Sequence, residues 1–90
     1  MPHDAKPVER IQTGVRLEKR LVKVMKALAE HKDMTLSDLM EGIILHAFEG
    51  IDPFSAETRN VINRLKAIYN LDLTAEYSHR LRDHKESSAG

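Results

Sequence analysis

Cysteine is absent from the 90 residues, which removes disulfides and thiolate metal sites. Tryptophan is absent as well, and Tyr and Phe occur only twice each, so the core has to be aliphatic. The first ten residues are polar and hold no apolar h-region, so they do not read as a secretory signal. No apolar run approaches the roughly 20 residues that a membrane span needs. These absences predict a soluble, cytoplasmic protein of one domain. There is no Gly-rich phosphate loop, no nucleophile–base–acid grouping and no carboxylate pair in an apolar setting, so no enzyme is expected. The histidines (His3, His31, His46, His79, His84) include no i, i+4 pair, so neither a metal nor a cofactor is expected.

Net charge is zero, but the charge is polarised along the chain. Residues 1–32 carry eight Lys or Arg against four acids, residues 33–58 carry six acids and no Lys or Arg, and residues 59–90 carry six basic residues against four acids. Neutrality as a whole disfavours nucleic acid as a partner, whereas the basic first third favours it.

Residues 1–9, with two prolines and mixed charge, read as a flexible arm. From 10 to 17 the pattern alternates: Ile11, Thr13, Val15 and Leu17 fall on one face, and Arg10, Gln12, Gly14 and Arg16 on the other. Period two predicts a half-buried strand. After Leu17 the period becomes 3.6, with Leu21, Val24, Met25 and Leu28 on one side of a helix that ends in the polar turn His31, Lys32, Asp33. Thr35 as N-cap and Asp38 at N3 resemble a capping box and open a second helix. Its apolar stripe (Leu36, Leu39, Met40, Ile43, Ile44, Ala47, Phe48) is wider than one small helix would cover, and Gly50 with Pro53 stops it. A third helix starts near Ser55, carries Val61, Ile62, Leu65, Ile68 and Tyr69, and ends at Asn70. Leu71, Leu73, Tyr77 and Leu81 predict one more short helical segment after Thr74, and residues 84–90 a frayed tail.

A lone strand leaves its backbone donors and acceptors unpaired, and no second strand exists in this chain. The expected remedy is the same strand from a second copy, paired antiparallel about a two-fold axis. The wide stripe on the second helix asks for the same partner.

Strand, helix, polar turn and capped helix, in that order, resemble the ribbon-helix-helix family of DNA-binding repressors over residues 10–50. Val15, Arg16 and Leu17 match the family's strand end, Leu21 the anchor of its first helix, and the run Ser-Asp-Leu-Met-Glu-Gly-Ile-Ile at 37–44 its second-helix core. Gln12, Gly14 and Arg16 resemble an outward-facing Gln-x-Asn-x-Arg ribbon, with Gly in place of Asn. A second departure is Glu18, Lys19, Arg20 where the family often has Pro-Glu-Glu. The resemblance implies a mainly α fold: a ribbon-helix-helix homodimer with an intermolecular antiparallel β-ribbon, and added C-terminal helices over residues 51–83. It further implies a nucleoid-associated transcriptional repressor that inserts the ribbon into the major groove of double-stranded DNA. Gln12, Gly14 and Arg16 would face the bases. Arg10, Lys19, Arg20 and the helix start at Thr35, Leu36 and Ser37 would hold phosphates. The alternative is a dimeric interaction module or antitoxin of the same fold, whose residues 55–81 bind a protein partner.

Overall fold

The structure, a computed structural model, describes residues 5–83; the expected tail at 84–90 and the first four residues of the arm lie outside that range. Three helices of 13 residues each follow one another: α1 (Lys19–His31), α2 (Leu36–Phe48) and α3 (Ala56–Ile68). A single 3₁₀ turn, Ala75–Tyr77, comes after Thr74, where a fourth short helical segment was expected. Among the described residues no helix is long and apolar enough to cross a membrane.

Each helix begins on a side-chain acceptor. The Glu18 carboxylate accepts from the backbone N–H of Arg20 at 2.8 Å and of Leu21 at 3.1 Å. The Thr35 hydroxyl accepts from Asp38 N–H at 3.0 Å, and the Ser55 hydroxyl from Thr58 N–H at 3.1 Å. Each helix also ends in the same way. Asp33, Gly50 and Asn70 take positive φ (57°, 69° and 56°). The next residue in each case reaches back to the last turn: Met34 N–H donates to Ala29 O, Ile51 N–H to His46 O, and Leu71 N–H to Lys66 O. These are Schellman ends, in which a left-handed residue turns the chain and two orphan carbonyls are satisfied. Glycine meets that backbone demand freely at 50, whereas Asp33 and Asn70 are residue types that tolerate it.

Helix α1 is the hub. α2 and α3 pack against it and not against each other. Its inner face supplies Val24, Leu28 and Ala29, which with Leu39 and Leu71 are the buried core among the described residues. Met25, Met34, Ile43, Phe54, Val61, Ile62 and Leu65 pack around that centre half-buried. With so few aromatics, three short helices close incompletely.

The predicted β-ribbon is not present. Among the described residues there is no strand, so the ribbon-helix-helix dimer fold is corrected to a small three-helix arrangement; only its mainly α character stands. Residues 5–17 run without regular structure and every one is exposed, Ile11 at 83%. Alternation specifies a strand only where a partner completes the ladder and a core covers one face. Among the described residues no element does either for residues 10–17. The sequence pattern therefore marks a face with nothing on it.

Candidate nucleic-acid interface

The helix frame sorts the proposed contact residues into three groups. Gln12, Gly14 and Arg16 lie together on the irregular segment before α1, all exposed. A Cβ built on Gly14 would meet nothing within 4 Å, so a side chain fits there without displacing a neighbour. The Arg16 guanidinium donates to the Asp83 carboxylate, tying the segment to the far end of the described chain. Arg10 makes a two-pronged ion pair with Glu41 of α2, both N···O distances being 2.8 Å. That pair holds the Arg10 guanidinium above its ordinary pKa and the Glu41 carboxyl below its own, through the hydrogen bond first in both cases. Both partners are exposed, so the pair is labile and salt-sensitive.

The second group sits at the start of α1. Lys19 is exposed and, among the described residues, carries no ion pair. Arg20 is in a different position. Its guanidinium donates to the Glu18 carboxylate at 2.9 Å, to the backbone carbonyl of Asn70 at 2.8 Å and to Asp72 at 3.1 Å. It thus fastens the beginning of α1 to the left-handed end of α3, and its donors are engaged inside the molecule. This also accounts for the departure at residues 18–20. The acid that suits the positive end of a helix stands here at the N-cap, as Glu18, instead of in the first turn. Lys23 lies over the Tyr69 ring, 5.8 Å from its centre.

The third group is the start of α2. Thr35 spends its hydroxyl on Asp38 N–H, while the N–H groups of Leu36 and Ser37 have no acceptor among the described residues. Ser37 is exposed and Leu36 half-buried. Asp38 sits in that same first turn and opposes an incoming anion.

The structure thus joins the segment before α1 to α2 through Arg10–Glu41 and leaves Gln12, Gly14, Arg16 and Lys19 open to solvent. It takes Arg20 out of the exposed set, for which only the acid at 18 gave a sequence signal. Among the described residues no group of three His, Asp or Glu side chains is placed to hold a metal ion. One feature left little mark on the sequence pattern: a cavity of about 510 Å³ between α1, the end of α3 and residues 71–81. The apolar residues at 71, 73, 77 and 81 were its only trace. No protein-family model, no characterised protein and no solved structure matches the chain.

Proposed function

We propose that this protein is a sequence-specific DNA-binding transcriptional regulator, a repressor, that works as a homodimer closed through the outer face of α2. One observation carries the DNA reading: Gln12 and Arg16 stand exposed on an uncovered, irregular segment, shortly before the open cation Lys19. An extended basic arm can lie in a groove, where Arg grips guanine O6 and N7 and Gln grips adenine N6 and N7. Lys19 supplies charge for a phosphate, and its release of counterions makes binding salt-dependent. The Arg10–Glu41 and Arg16–Asp83 pairs exchange for phosphate and base contacts at little cost, because exposed ion pairs are screened by water and salt.

The dimer reading rests on α2. Ile44, Leu45, Phe48 and the following Ile51 are exposed, with Phe48 at 81%. A contiguous apolar face of this kind marks an interface. The same face supports a second reading, an interaction module or antitoxin that captures a protein, and the six acids of residues 33–58 favour it over DNA.

Anisotropy titration against a duplex selected from a random pool, repeated over a salt series, separates the two. Arg16→Ala should cost about 1–3 kcal/mol on the selected duplex and much less on random DNA. Lys19→Ala should weaken both alike and lower the log–log salt slope by about one unit for each phosphate that is no longer neutralised. An Arg16→Ala protein that binds every duplex as tightly as the parent removes the case for base readout and leaves the interaction module.

A further inference from the structure

The cavity beside α1 has the character of a ligand site. Leu21, Val24 and Met25 of α1 line it, together with Leu73, Tyr77 and Leu81 from the chain that follows α3. Its volume of about 510 Å³ falls within the usual span of small-molecule sites, about 300–1,000 Å³. Most of the lining is hydrocarbon or aromatic, and the polar remainder is Lys66, Thr74, Ser78 and His79, with no carboxylate. Lys66 is half-buried and, among the described residues, makes no ion pair. A lysine among apolar lining residues, with no carboxylate in that lining, is matched by a ligand with an aliphatic body and one negative head.

We propose that this cavity binds a free single-chain aliphatic carboxylate, with the chain against Leu21, Val24 and Leu73 and the carboxylate on the Lys66 ammonium. The chain replaces water over apolar walls, and the head supplies a charge-assisted hydrogen bond that Lys66 does not make among the described residues. The site is distinct from the outer face of α2: Ile44, Leu45 and Phe48 do not line it.

The absence of tryptophan makes tyrosine fluorescence a direct probe, and Tyr69→Phe leaves Tyr77, in the cavity wall, as the single reporter. Titration of that full-length variant with octanoate, decanoate and dodecanoate below their micelle concentrations should saturate at one equivalent. Affinity should rise about fourfold for each added methylene. Decanol should bind more weakly than decanoate, and Lys66→Met should lower decanoate affinity about tenfold while leaving decanol unchanged. Ala75→Trp, a change at an exposed position in the lining, should abolish decanoate binding, read by isothermal titration calorimetry because the added indole masks tyrosine emission, with the circular-dichroism melt unaltered. The chain-length series on the Tyr69→Phe protein stands even if the Ala75→Trp protein folds poorly. Affinity independent of chain length, decanol binding as tightly as decanoate, or binding that survives a folded Ala75→Trp protein would overturn the proposal. So would decanoate binding that declines as protein concentration rises in step with dimer formation, since the cavity would then belong to a second copy.

Discussion

Helices α1 and α2 have the same length and opposite designs. α1 carries five charged residues in 13, all outside its buried stripe, and it buries Val24, Leu28 and Ala29. α2 carries two charged residues and eight apolar ones, yet it buries only Leu39. The amphipathic helix became the hub because its single apolar stripe could be covered from two sides by its own chain. The more hydrophobic helix ended at the edge, with Ile44, Leu45 and Phe48 facing outward. Hydrophobicity alone does not centre a helix; a stripe narrow enough for the available partners does. What α2 keeps outward is apolar surface that a single chain of this size cannot cover.

The comparison breaks first at the hub. Leu28 is 2% exposed and touches the centre of the core, so Leu28→Ala should lower unfolding free energy by about 2–5 kcal/mol in a denaturant titration. The matching change on α2, Leu45→Ala, should stay within about 0.5 kcal/mol if that face meets only water. Phe48→Asp tests what covers α2. In a dimer closed by that face it should give a monomer by sedimentation and a thermal midpoint that no longer rises with protein concentration, with a loss on the order of 1.5–3 kcal/mol. A parent protein that is already monomeric at millimolar concentration would remove the dimer.

Smaller effects sharpen the contrast at the helix ends and inside α2. Glu18→Ala removes the α1 cap and should cost about 1 kcal/mol. The Glu18 carboxyl sits below its ordinary value of 4.5: burial pushes it up, but the Arg20 side chain and the backbone N–H groups of Leu21 and Arg20 together outweigh burial. Its folded value is therefore lower than its unfolded one, so its contribution is complete above pH 4.5 and fades as pH falls from there through the folded value. The parent should lose stability in that acid window, and Glu18→Gln should lose less there, as judged by melts at several pH values. Gly42 lies inside α2, and a Cβ built on it meets nothing within 4 Å. Gly42→Ala should thus add about 0.5–1 kcal/mol through helix propensity. A loss instead would reveal a neighbouring copy pressed against that position.

Much of the local structure was written in short-range signals. Leu21, Val24, Met25 and Leu28 at helical spacing, Thr35 as a cap, and Gly50 and Asn70 as stops all act within a few residues of themselves, so their meaning survives without knowledge of the fold. The 10–17 alternation failed for the converse reason. A strand is a two-body object, and Ile11, Val15 and Leu17 could state only that one face wants cover. The open residues Gln12, Gly14, Arg16 and Lys19 could be picked out by position, but Arg20 could not, because its partners Asn70 and Asp72 stand fifty residues on.

By itself, then, the order of residues determined three helices, their ends, an aliphatic core and a polarised charge, since each of these depends on neighbours along the chain. Only the tertiary structure decided that α1 is the hub, that residues 5–17 lie uncovered, that Arg20 joins α1 to α3, and that a cavity of about 510 Å³ opens beside Lys66. Those features depend on which surfaces meet across long separations, and shape, not periodicity, settles that.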